Sequence, residues 1–477
     1  MSGLKEQVVN GIKWSIMAKL ATQAFSWIST FTVIRILTPD DYGIMAIAMI
    51  FFSLISIFTT NGLIVALVRQ QGDIAKSKNQ IFTLSLLLNL LLSAVLAASA
   101  SHIALWYDNQ ELTKVLWVMA AINPISSFMV VPKAALQINM RFKEKAIVES
   151  GAGLMAAAVA FGCALSGFGY WSLIFSDITL SLLTMIGLNW VAKERFKPTF
   201  SWHGTREIVG FALNVQFSQL IWFAYNKADT ILIGRLLGVD KAGVYNVGSE
   251  IASIPMSKVN AIMGEVAFSA FAKTKDDISL AKGYLKKALR LMGVVVFPMF
   301  YGISAVADET INLLLGENWS AAGPVVAILC IILPFRMLVS VMNNFCTGMG
   351  MARFGLQNGI VTACVLITAI AIGASYGLVQ AAFAWVVGFL FVYMFLLFRF
   401  NRTFNLPLST MLVFWPVFII SSCMLAGVNA VDYWVIPVDM PVWGRFLLKV
   451  ATGALLAGPV ILYLYGREIR DLLKRNG

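Results

Sequence analysis

The chain has 477 residues, of which 59% are hydrophobic and 13% charged, with 36 Lys+Arg against 24 Asp+Glu and a formal net charge of +12. A soluble domain keeps about 25% charged residues to face water, so this composition excludes an ordinary water-soluble fold. The basic residues fall in short segments between apolar runs instead of gathering on one folded face, which argues against a nucleic-acid-binding domain.

The sequence predicts an all-α polytopic membrane protein of about fourteen spans, each needing some 20 mostly apolar residues. They fall near 14–36, 43–68, 80–103, 114–138, 147–166, 171–192, 208–234, 242–267, 289–307, 322–350, 355–375, 378–398, 408–430 and 443–465. The first run begins after a polar dozen residues, is too long for a signal peptide and has no small-residue cleavage site, so it is expected to stay in the protein. With the N-terminus inside, the inside segments hold 25 Lys and Arg and the outside segments hold three, Lys114, Arg235 and Lys241. That bias predicts an even number of helices with both termini cytoplasmic. The longest inside segment, Phe271 to Arg290, sets Leu280, Tyr284, Leu285 and Ala288 on one stripe and Lys282, Lys286 and Lys287 elsewhere. This pattern predicts an amphipathic helix lying on the inner leaflet, with a solvated charged loop as the alternative.

An internal duplication organises the chain. Arg35-Ile36-Leu37-Thr38-Pro39-Asp40-Asp41-Tyr42-Gly43 aligns without gaps with Arg235-Leu236-Leu237-Gly238-Val239-Asp240-Lys241-Ala242-Gly243. At the same offset, Leu20, Ala24 and Thr30 match Leu220, Ala224 and Thr230. Such self-similarity predicts two six-helix lobes, 1–200 and 201–400, followed by an appended helix pair within 401–477. An even helix number per copy makes the repeat parallel, the arrangement of transporters whose bundles rock about a central site.

No phosphate-binding loop, zinc-protease, serine-hydrolase or kinase motif is present. The five cysteines lie in apolar runs without metal spacing, and His102 and His203 stand alone, so neither metal nor cofactor is expected, and the chain reads as a transporter instead of an enzyme. Ionisable residues at membrane depth are then the candidates for function, because each costs about 2.5–3.5 kcal/mol at a helix centre. They are Lys19, Asp177, Lys227, Asp229, Glu250, Lys258 and Arg336. Lys19 and Lys258 also fit snorkelling along their helices, and Asp177 sits among Ser172, Ser176, Thr179 and Ser181, which fits helix packing. Lys227 and Asp229, two apart, lie on different helix faces and are not expected to pair. Arg336 follows Pro334 near mid-span, where a guanidinium suits bidentate phosphate binding. Trp14, Trp27, Trp222, Phe223 and Tyr225 offer aromatic faces for sugar stacking or for an interfacial belt.

VVNGIKW (8–14), RILTPDDYG (35–43), GLIVALVRQ (62–70), RLLGVDKAGVYN (235–246), IPMSKVN (254–260), FSAFAKTKDD (268–277) and GENW (316–319) occur in this order along nearly the whole chain. On these segments the chain resembles the Wzx-type polysaccharide flippases of the multidrug/oligosaccharidyl-lipid/polysaccharide exporter superfamily, on the WzxC-like (colanic acid exporter) branch. The resemblance implies an undecaprenyl-diphosphate-linked oligosaccharide moved across a bacterial inner membrane for exopolysaccharide or O-antigen synthesis, with coupling to a proton or sodium gradient. Its partners would be that lipid-linked substrate, the phospholipid bilayer, a polysaccharide polymerase and a chain-length regulator, and no nucleic acid. The family has no strict catalytic signature to carry over. The competing expectations are a multidrug or lipid-precursor exporter of the same superfamily, and, in another class, a membrane-embedded assembly enzyme or scaffold.

Overall fold

The computed structural model describes residues 25–61, 63–64, 67, 74–199, 205–273, 277–437 and 439–475. Lys19 and Trp14 lie outside the described residues. The regular structure within them is helical, as an apolar environment demands, since only internally satisfied helices or closed barrels can cross lipid. Eleven of the described helical segments are long and apolar enough to span a membrane. The other three predicted spans fall on the shorter apolar helix Phe25–Ile36 and on the helices Thr205–Leu237 and Val239–Lys273. The chain is a multi-pass membrane protein.

It divides into two compact units, one of residues 1–223 with 238–243 and the other of 224–237 with 244–477. The first contains α1 (Phe25–Ile36), α2 (Pro39–Ser56), α3 (Ile74–Trp106), α4 (Glu111–Ile122), α5 (Ser127–Ile138), α6 (Phe142–Leu165) and α7 (Trp171–Ala192). Two long helices, α8 (Thr205–Leu237) and α9 (Val239–Lys273), run through both groupings.

The start of α2 shows how the TPDD motif works. Pro39 takes the first helical position, where its missing N–H costs nothing. The Thr38 hydroxyl accepts the Asp41 N–H at 3.3 Å while Asp41 Oδ2 accepts the Thr38 N–H at 2.9 Å, a closed capping box. The second oxygen of Asp41 accepts the Tyr170 N–H at 2.8 Å, so one carboxylate fixes both the α1–α2 corner and the α6–α7 turn. Tyr170 in turn donates its hydroxyl to Glu111 at the start of α4. Loss of water and that carboxylate push the Tyr170 hydroxyl up to about 12, so it remains a donor at neutral pH.

The duplicated motif recurs as structure, since α9 begins at Val239 where α2 begins at Pro39. The two glycines are reciprocal: a Cβ on Gly43 would lie 1.9 Å from the Val239 carbonyl oxygen, and one on Gly243 would lie 1.9 Å from the Pro39 carbonyl oxygen. The two helix starts cross backbone to backbone, which a side chain would forbid. On α6 the buried residues are Ala152, Ala156, Ala160 and Ala164, a small-residue stripe that lets helices approach closely where lipid supplies no hydrophobic drive. Ala160 and Ala164 pack on Val33 and Leu37 of α1, and Ser29 donates to the Ala157 carbonyl at 3.0 Å.

The second unit adds α10 (Ile278–Ala305), α11 (Ala307–Leu315), α12 (Ala322–Gly348), α13 (Ala352–Ala374), α14 (Leu378–Phe404), α15 (Trp415–Trp434) and α16 (Val442–Arg475). Its core is aromatic. Phe297 of α10 stacks on Phe414 at 5.3 Å and meets Phe335 of α12 edge-on at 5.2 Å and Phe418 of α15 at 5.5 Å. Gly293 leaves room for this, because its Cβ would sit 2.5 Å from that of Phe414. The appended pair α15–α16 is thus packed into the second unit.

One expectation is corrected. The basic segment before residue 290 forms no separate helix on the leaflet: from Ile278 it is the first part of the continuous α10. Its buried stripe is Ala281, Leu285 and Leu289, against protein, while Leu280 and Tyr284 are 49% and 43% exposed. The buried stripe is rotated from the one inferred from sequence and shares only Leu285 with it.

Gly43→Ala and Gly243→Ala are each expected to destabilise the protein by about 1–3 kcal/mol through overpacking, lowering the detergent-solubilised melting temperature. Gly153→Ala, whose Cβ meets nothing within 4 Å, should leave it unchanged.

Candidate substrate site

Within the second unit, residues from four helices converge on one polar group. From α8 come Asn226, Lys227, Asp229 and Thr230; α9 gives Tyr245, α12 gives Arg336 and α14 gives Trp385. Asp229 is only 4% exposed. Its Oδ1 accepts the Thr230 N–H at 2.7 Å, and its Oδ2 accepts the Trp385 indole N–H at 3.2 Å. Tyr245, fully buried, sets its hydroxyl beside the same carboxylate.

Arg336 completes the group from the other side of the indole. Its guanidinium carbon lies 4.6 Å over the Trp385 ring centroid, and one N–H donates to Asn226 Oδ1 at 2.8 Å. A cation on an indole face gains about 0.5–2 kcal/mol depending on desolvation. The indole therefore serves two charges, its N–H toward Asp229 and its face toward Arg336. The guanidinium offers five N–H donors in a fixed fork, and a single one is used among the described residues. The arrangement holds a cation at membrane depth with its donors largely free, beside a carboxylate already satisfied by others.

Of the residues singled out from sequence, Arg336, Lys227 and Asp229 come together here. Lys227 is half-buried and, two residues from Asp229, forms no ion pair with it. Glu250 is exposed and accepts the Asn246 side-chain amide at 3.0 Å, and Lys258 is exposed on the same helix, α9. Asp177 belongs to the first unit, half-buried on α7, with no hydrogen-bond partner among the described residues. Of its polar neighbours, Ser176 and Thr179 donate to the Ala156 and Phe175 carbonyls. Lys19 and Trp222 lie outside what the structure describes of side chains. The Pro334 ring leaves α12 continuous through Arg336.

Sequence reasoning missed Trp385, Tyr245 and Asn226, which carry no charge. It also missed Lys449, 6% exposed, which pairs with Glu309 at 2.7 Å and Asp432 at 2.9 Å. The signal was available: Arg445 and Lys449 are four apart inside the last apolar run, hence on one helix face. A neutral polar knot in the first unit went unseen as well. Asn89, fully buried, donates to Ser127 at 2.8 Å and accepts from Asn123 at 2.8 Å. It lies where α4 and α5 are joined by the 3-10 turn Asn123–Ser126, and Ser85 reaches the Thr59 carbonyl of the π-helical turn Ile57–Asn61 at 3.2 Å.

Trp385→Phe keeps the ring under Arg336 and deletes the donor to Asp229. Leaving that carboxylate oxygen unsatisfied should cost about 1–3 kcal/mol, read as a lower melting temperature, whereas Asn246→Ala on the exposed face should cost less than half as much.

Comparison with known proteins places this architecture. Residues 32–324 match the model of a family described as polysaccharide biosynthesis protein. The succinoglycan biosynthesis transport protein ExoT of Rhizobium meliloti (strain 1021) is 26% identical, over 79% of this chain and 76% of its own. The lipopolysaccharide biosynthesis protein WzxC of Escherichia coli (strain K12) is 21% identical, over 82% and 79%. The solved structure of the lipid II flippase MurJ in an inward closed conformation matches with a TM-score of 0.76, covering 96% of this chain and all of that one at 14% identity, which speaks for the fold.

Proposed function

The chain belongs to the polysaccharide biosynthesis protein family matched over residues 32–324, and on that premise we propose that it flips an undecaprenyl-diphosphate-linked oligosaccharide repeat unit across a bacterial inner membrane for exopolysaccharide or O-antigen synthesis. The observation that carries this reading is Arg336, stacked on Trp385 and steadied by Asn226, with a single donor used among the described residues. A diphosphate is the feature such a substrate presents at membrane depth. Planar N–H pairs bind phosphate oxygens two at a time, and charge-assisted bonds of this kind are roughly twice as strong as neutral ones. Lys227 adds a second positive charge from α8.

Transport proceeds by alternating exposure of this site to the two sides of the membrane, driven by a proton or sodium gradient. Asp177, without a hydrogen-bond partner among the described residues, is the carboxylate best suited to respond to such a gradient. The Lys/Arg bias supports cytoplasmic termini, with a polymerase and a chain-length regulator receiving the unit on the far side.

Arg336→Ala is expected to reduce polymer export by about 10–100-fold, the worth of a charge-assisted hydrogen bond or two, while the protein stays inserted and abundant. Arg336→Lys should recover only part of it, since a point charge lacks the fork. Asp177→Ala should abolish export. Wild-type export by Arg336→Ala, measured as surface polymer per cell at matched protein level, would remove the phosphate-binding role.

A further inference from the structure

Outside the Arg336 group, the second unit holds an ionic cluster that the transport site does not use. Glu309, 6% exposed at the start of α11, accepts from Lys449 of α16 at 2.7 Å. Lys449 also pairs with Asp432 of α15 at 2.9 Å, and Arg445 of α16 reaches the other Asp432 oxygen at 2.9 Å. Asp308, next to Glu309 on α11, faces the same cations. These contacts are the polar fastening between α11 and the α15–α16 hairpin.

The cluster does not balance. Three carboxylates, Asp308, Glu309 and Asp432, face two cations, Lys449 and Arg445. Glu309 Oε2 is buried without a hydrogen-bond partner, so the site has an acceptor that its own donors do not reach. Asp308 stands at the open edge, with Oδ1 turned to the backbone of Gly323, where a Cβ would come within 2.1 Å. From α12 the facing group is thus uncharged, and α15 and α16 bring Asp432, Lys449 and Arg445. The water Asp308 loses at that contact raises its carboxyl above the usual carboxylate value; Glu309 adds to the rise and Lys449 opposes it.

We propose that the Asp308–Glu309 pair is a proton-binding site whose occupation locks α16 to α11. With the proton on Asp308, two carboxylates meet two cations and every charge has a counterpart. With the proton gone, one surplus negative charge sits at the edge of the cluster beside the buried Glu309, and Asp308 competes with Glu309 for Lys449. A carboxyl raised in the folded state stabilises the fold at low pH, and that contribution is lost as pH rises through the folded value. Acid at this end of the molecule therefore tightens the clasp, and alkali frees the α15–α16 pair to move. The site is separate from the substrate-binding cation and stands whether or not that assignment holds.

The test is hydrogen exchange of the backbone amides of residues 307–320 in the full-length protein in lipid nanodiscs, corrected for intrinsic pH dependence. The wild-type segment should exchange about threefold faster near pH 7.5 than near pH 5 through local opening. Asp308→Asn should hold the slow acid-side rate at both, and Glu309→Gln, which weakens the tie to Lys449, should be fast at both. An unchanged pH response in Asp308→Asn, no response in the wild type, or slow exchange in Glu309→Gln would each overturn the proposal. So would sodium slowing the wild-type segment at constant pH as acid does, because the surplus charge would then bind a metal cation.

Discussion

A buried carboxylate in a protein that offers it no bulk water must be satisfied by its own chain, and Asp229 shows how far that requirement reaches. Its two oxygens are met by the Thr230 amide and the Trp385 indole. Meeting them fixes the indole, and the fixed indole gives Arg336 a face to lie on. The guanidinium then needs few protein acceptors, and Asn226 supplies one. Each step leaves the cation better placed and less used, as the proposed binding and release of an anion requires. Were Asp229 to pair directly with Arg336, the guanidinium would be neutralised within the protein and its fork closed to phosphate.

The same accounting explains the rest of the polar interior. In the first unit a neutral solution is adopted, with Asn89, Asn123 and their serine partners closing on one another where two helices lose regular geometry. Irregular backbone at membrane depth survives only where protein covers it, and the fully buried side chains do so. At the start of α11 the solution is ionic and unbalanced, and it joins the appended helix pair to the unit that carries Arg336. Aromatic stacking around Phe297 and the glycine at 293 do the apolar part of that joining.

Much of this was legible in the chain. Apolar run lengths located the spans, and the Arg-x-Leu-x-x-Asp-x-x-Gly repeat located two equivalent helix starts, with each glycine proving to be a point where backbones cross. Charges at membrane depth pointed to Arg336, Lys227 and Asp229. What stayed hidden was uncharged or relational. A tryptophan in an apolar span looks like any lipid-facing aromatic until its N–H is seen to meet a carboxylate, and asparagines spaced 34 residues apart carry no pattern that announces a contact. The inner-leaflet helix failed for a related reason: an amphipathic stripe shows that a face is apolar, and it does not say whether lipid or protein will cover it.

The central claim is that this membrane protein moves a diphosphate-linked sugar between leaflets through the cation held on Trp385. Reconstitution into liposomes with a labelled undecaprenyl-diphosphate-linked oligosaccharide, followed by the label's exposure to an external enzyme, tests it most directly. Wild-type protein should expose the label in an ion gradient far faster than protein-free vesicles, and a lipid-linked sugar lacking the diphosphate should remain where it was placed. Equal exposure of the two lipids, or none above that of empty vesicles, would contradict it.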